Sequence, residues 1–73
     1  MQQGKVVLSS NRGRFALGSP DGMDLTSGCV CEIKFHGRWV KGRIEHGRNG
    51  YYFLGPSEKT TCLLMVGMLV RVD

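Results

Sequence analysis

Apolar and polar residues alternate most cleanly between Cys29 and His46, where the runs CVCEIKF and RWVKGRIEH flank the pair His36-Gly37. A period of two residues marks a half-buried strand, and two such runs joined by two turn residues predict an antiparallel hairpin. Counting outward from the turn pairs Phe35 with Arg38, Lys34 with Trp39, Ile33 with Val40, Glu32 with Lys41, Cys31 with Gly42, Val30 with Arg43 and Cys29 with Ile44. This register puts Cys29, Cys31, Ile33, Val40, Gly42 and Ile44 on one small, apolar face and Glu32, Lys34, Trp39, Lys41 and Arg43 on the other. A slip of one residue would send Lys41 and Arg43 into the core. The outward pairs Lys34 with Trp39 and Glu32 with Lys41 each add roughly 0.2–1 kcal/mol.

The remaining patterns are shorter. Lys5 to Leu8 and Arg14 to Gly18 read as strands joined through Ser9-Ser10-Asn11-Arg12-Gly13, a first hairpin with Phe15 and Leu17 on one face. Ser19-Pro20-Asp21-Gly22 is a turn, because proline presets φ and glycine accepts a positive one. Asp24 to Gly28 delivers the chain into the central hairpin, with Leu25 as the anchor beneath it. Gly47-Arg48-Asn49-Gly50 is a further turn whose Asn-Gly pair favours type I′ geometry. Tyr51 to Leu54 follows as a strand, and Gly55 to Lys59 interrupts the sheet.

The end of the chain is ambiguous by period: Leu63 to Val66 is a strand, or a short helical turn over 63–67 stopped by Gly67, while Leu69 to Val72 closes the sheet. In the bland reading of this run Leu63, Met65, Met68 and Val70 simply fill the core. The expected fold is all-β, a small and partly open barrel of five or six short antiparallel strands. Residues 4–73 form its single domain, and Met1 to Gln3 are a flexible start.

The order of Val30, Glu32, Ile33, Gly37, Trp39, Val40, Gly42, Arg43, Ile44 and Glu45, then Gly50, Tyr51, Tyr52 and Phe53, then Gly67, Val70, Arg71 and Val72 resembles a family of small uncharacterised bacterial and phage-associated proteins with an SH3-like barrel. The resemblance covers most of the chain from Leu25 onward. Its motifs are structural, so it implies the barrel and no activity or site.

Size and charge narrow the function. A chain of 73 residues buries only about 60% of its unfolded surface, so the core is thin, and eleven glycines fit many tight turns better than long helices. Ten Lys and Arg against six Asp and Glu give a net charge of +4, which attracts anionic partners modestly. Half of those cations, Lys34, Arg38, Lys41, Arg43 and Arg48, fall on or beside the central hairpin. No charged-then-apolar leader opens the sequence, and no apolar run approaches the ~20 residues of a membrane span. With three cysteines that make no disulfide set, a reduced, cytoplasmic setting is expected.

Cations around an indole are what a nucleic-acid surface needs, since phosphates pair with Lys and Arg while a base stacks on the ring. Lys34, Arg38, Trp39, Lys41, Arg43 and Arg48 are therefore the candidate nucleic-acid-binding residues, extended by whichever tyrosine faces outward, and binding through one Trp is expected to be weak and tolerant of sequence. Solvated cations around a Trp that merely covers the sheet are the competing explanation. The apolar run from Leu63 to Leu69 supports an alternative, a protein-interaction or self-associating adaptor, such as a mobile-element-encoded modulator of a host complex. Trp39 beside Tyr51 or Tyr52 would also suit a peptide groove, though the scarcity of acids points to an acidic ligand.

Cys29, Cys31, Cys62 and a histidine have the donor types of a zinc site, but Cys-x-Cys is not the usual spacing and the sulfurs point inward, so no metal or other cofactor is expected. His36 and His46 have no evident relay partner, and no phosphate loop or dinucleotide fingerprint occurs. A small barrel also offers no deep pocket for a small-molecule substrate, so a non-catalytic module is expected.

Overall fold

The computed structural model describes residues 1–57 and 60–73. The strands are β1 (Gln2–Leu8), β2 (Phe15–Leu17), β3 (Val30–Phe35), β4 (Arg38–Gly47), β5 (Gly50–Leu54), β6 (Thr61–Leu63) and β7 (Leu69–Val72). All seven are antiparallel and lie in one sheet of order β2-β1-β7-β3-β4-β5-β6. The fold is all-β and open, with β2 and β6 at its two ends. Seven strands form rather than the expected five or six, because β6 has only three residues and shows no period of its own. Among the described residues no helix is long and apolar enough to cross a membrane.

The sheet curls, as the link from β6 to β7 requires. Leu64 extends the β5–β6 ladder by donating to the Tyr51 carbonyl at 3.0 Å, and three residues later Gly67 donates to the Val6 carbonyl of β1 at 2.9 Å. In a flat sheet β6 and β7 would lie four strand spacings apart, about 19 Å at ~4.8 Å each. Three residues reach at most about 11 Å. The curl gathers one core inside: Val6, Leu17, Leu25, Cys31, Ile33, Ile44, Phe53, Leu64, Val70 and Val72.

The central hairpin has the register read from the sequence, from Val30 opposite Arg43 to Phe35 opposite Arg38. Its turn residues His36 and Gly37 both take positive φ, 48° and 78°, the geometry a two-residue turn needs to follow the strand twist. Beyond Val30 the ladder bulges. Gly28 donates to the Ile44 carbonyl at 2.7 Å and Ile44 donates to the Cys29 carbonyl at 2.8 Å, so two residues oppose one, with Gly28 at φ 88°. Leu25 is fully buried beneath, as its pattern indicates.

Four expectations need correction. Gln2 and Gln3 pair with Val72 and Arg71, so the loose start shrinks to Met1; alternation cannot show that a terminal strand will find the other terminus. The stretch over 63–67 is not helical: β6 ends at Leu63, and Met68 donates to the Met65 carbonyl at 3.3 Å across a β-turn with Gly67 at φ 98°. That turn also sets the phase, burying Leu64 and leaving Leu63 and Met65 exposed. At the β4–β5 turn neither Arg48 nor Asn49 has positive φ; Gly50, at 110°, supplies it, so the turn is not type I′. Of the break expected over Gly55 to Lys59, Glu58 and Lys59 lie outside the described residues.

Candidate nucleic-acid interface

The outward face is built on three adjacent strands, β7, β3 and β4. Pairing of β3 with β7 sets Arg71 opposite Glu32, and pairing of β3 with β4 sets Glu32 opposite Lys41 and Lys34 opposite Trp39. Val70 and Val72 point into the core, so alternation turns Arg71 outward. Arg71 donates through Nε to Glu32 Oε2 at 2.8 Å and through an Nη to Oε1 at 3.2 Å, a two-pronged pair that fixes the guanidinium plane. Its guanidinium carbon then sits 4.2 Å from the Trp39 ring centroid, and Lys34 Nζ lies over the same ring at 5.6 Å. Trp39 is half-buried, with both cations over its ring.

The six residues singled out in the sequence do not form one row. Lys34, Trp39, Lys41 and Arg43 share the outward face of the hairpin. Arg38 pairs with Phe35, whose ring meets Phe53 in the core, so it belongs to the other side of β4, exposed at the hairpin tip. Arg48 lies beyond the far end of the ten-residue β4, about 30 Å from the tip. There it lines a shallow groove of about 470 Å³ with Asn49, Tyr52, Thr61 and Leu63. Tyr51 and Tyr52 pair with His46 and Glu45, about 20 Å along β4 from Trp39, so neither tyrosine extends the indole surface. Arg71 is the residue that sequence reasoning misses. Its outward phase is legible in Val70-Arg71-Val72, but its neighbour is a matter of which strands pair.

Electrostatically the face is mixed. Arg43 donates through Nε to Glu45 Oε2 at 2.6 Å, and Ser27 Oγ donates to Glu45 Oε1 at 2.8 Å. These bonds hold the Glu45 carboxyl below the usual range, and the bond from Arg71, helped by the Lys41 charge, does the same for Glu32. Asp24 is lowered by hydrogen bonds from Ser9 Oγ and Asn11 Nδ2, both at 2.7 Å, which tie the β1–β2 loop to the segment before the hairpin. A carboxyl with a lower pKa folded than unfolded takes up protons more readily when unfolded, so its contribution is complete above the ordinary range near 4 and is lost as pH falls through the folded value. Stability is therefore expected to be flat near neutrality and to decline below about pH 4–5, with a shallower decline in Glu32→Gln, as urea titrations across pH would show.

The cysteines do not converge. Cys31 is buried, and loss of solvent, with Cys29 and Glu32 nearby, pushes its thiol up to about 12. Cys62 is on β6, separated from β3 by two strands. Among the described residues no group of three or more His, Cys, Asp or Glu is placed to hold a metal ion.

A family model described as a domain of unknown function, DUF5348, matches residues 4–72, from β1 to the end of β7. The chain belongs to this family. In this DUF5348 domain the matched span includes most of β1 and all three strands of the outward face, β7, β3 and β4. No curated protein and no solved structure matches it.

Proposed function

We propose that this DUF5348 domain is a small, non-catalytic, SH3-like nucleic-acid-binding module that acts in the cytoplasm as an accessory protein of a bacterial or phage-borne element. The observation that carries the reading is the Trp39 ring with the Arg71 guanidinium and the Lys34 ammonium over it, and Lys41 exposed beside them. Exposed Lys34 and Lys41 pair with phosphates, and the Trp39–Arg71 stack offers a flat surface to a base, worth about 1–3 kcal/mol. Glu32 and Glu45 occupy part of the cation set, so few phosphates are neutralised and affinity is weak.

With about three phosphate contacts, affinity falls roughly 20- to 40-fold between ~50 mM and ~200 mM salt. Fluorescence anisotropy with labelled single-stranded and duplex oligonucleotides measures this. Lys34→Ala and Lys41→Ala each weaken binding across all sequences and reduce the salt slope by about 0.7–0.9. No binding at ~50 mM salt overturns the reading. A second reading, docking to protein, is favoured by exposed Leu63, Met65 and Val66 at the β6 end of the sheet.

A further inference from the structure

The two ends of the sheet are not equivalent. Along β2 the outer edge is covered: Leu17 donates to the Met23 carbonyl and Leu25 donates to the Phe15 carbonyl, both at 2.9 Å, around a bridge between Ala16 and Asp24. β6 has no such cover among the described residues. Gly55 donates to the Thr60 carbonyl at 2.8 Å and Leu64 to the Tyr51 carbonyl, so Thr60 and Leu64 turn their backbone groups toward β5, and alternation does the same for Cys62 opposite Phe53. Thr61 and Leu63 consequently direct their N–H and C=O groups away from the sheet.

We propose that β6 pairs antiparallel with β6 of a second copy of this chain about a two-fold axis through Cys62. That register is self-complementary: Thr61 and the partner's Leu63 exchange both backbone bonds, as do Leu63 and the partner's Thr61, which uses every outward group of the strand. The strand itself also lacks the charges that normally keep strand edges apart, although Arg48 of the β4–β5 turn lines the groove beside it. Thr60 to Met68 contains no Asp, Glu, Lys or Arg, and Leu63, Met65 and Val66 are 49%, 62% and 59% exposed. A foreign acidic partner would be drawn to the cations of β3 and β4, whereas β6, whose own residues are uncharged, matches its own copy. The pairing does not depend on nucleic-acid binding.

The register makes a specific demand. Cys62 faces the partner's Cys62 in a non-hydrogen-bonded pair, with Cα atoms about 4.5 Å apart, within the span a disulfide bridges. Sedimentation from ~1 µM to ~1 mM is expected to show mass rising from 8.1 kDa toward twice that value. Thr61→Pro is expected to stay at the mass of one chain with the melting transition that the wild type shows when dilute, because proline fits an edge strand whose N–H faces solvent. Leu63→Lys, which places a charge on the edge, is a second monomeric variant. Diamide, which takes two electrons and two protons from a thiol pair, should link copies of the wild type through Cys62 and leave Cys62→Ser unlinked. A wild type of one-chain mass throughout, a dimer that survives in folded Leu63→Lys, or links that form through Cys29 instead overturns the proposal.

Discussion

Gly42→Ala is expected to remove about 3 kcal/mol or more of stability, enough to lower the urea midpoint by roughly 2–3 M. Gly42 faces inward on β4, between the outward Lys41 and Arg43. A β-carbon placed there would lie 2.6 Å from Phe53 Cζ and 2.9 Å from its Cε1, and would press on the Leu54 carbonyl oxygen. The oxygen is backbone of β5, which the β4–β5 ladder and β6 hold from both sides. It cannot yield without opening the sheet. A domain of this length is stable by only about 4–11 kcal/mol, so the change consumes a large share. Lys41→Ala, one residue away and exposed, is expected to move the midpoint by less than ~0.5 kcal/mol equivalent. A Gly42→Ala midpoint equal to the wild type would mean that β4 and β5 are not packed this closely.

Gly42 also shows what alternation makes legible. The face assignment follows from the two-residue period around His36-Gly37: charges at 34, 41 and 43 and apolar residues at 31, 33 and 44 agree on a single register, and a slip would bury two cations. Nothing in that local pattern says that β7 will dock on β3. Arg71 reaches Trp39 only because strands separated by about half of the chain become neighbours, so one of the two cations over the indole is a product of topology. Chain length misleads similarly at β6. Three residues cannot display a period, and the burial of Leu64 in place of Leu63 is decided by the turn at Gly67 and by the path that the curl imposes on the chain. The spread of Arg38 and Arg48 to opposite ends of β4 has the same origin: proximity in sequence is extended into about 30 Å once the stretch is a strand.

Phe53→Ala is expected to cost about 3–5 kcal/mol, comparable to the whole stability of the less stable domains of this size. Phe53 is the largest fully buried side chain and meets Phe35 at 5.9 Å between ring centroids, tilted by 56°. Removing it leaves a void under Gly42 that the ladder prevents from collapsing. Near-ultraviolet circular dichroism and urea titration would show lost tertiary signal and a transition close to zero denaturant. Phe53→Leu, costing about 1–2 kcal/mol, allows a double-mutant cycle with Gly42→Ala. A ring can rotate away from a new methyl group, whereas the Leu54 oxygen cannot, so Gly42→Ala should cost the same in both backgrounds within about 0.5 kcal/mol. A coupling larger than about 1 kcal/mol would instead make the aromatic ring the obstacle and the carbonyl incidental. In either case the small residue at position 42 is what lets β4 lie flat on the core while its Lys41 and Arg43 stay in water.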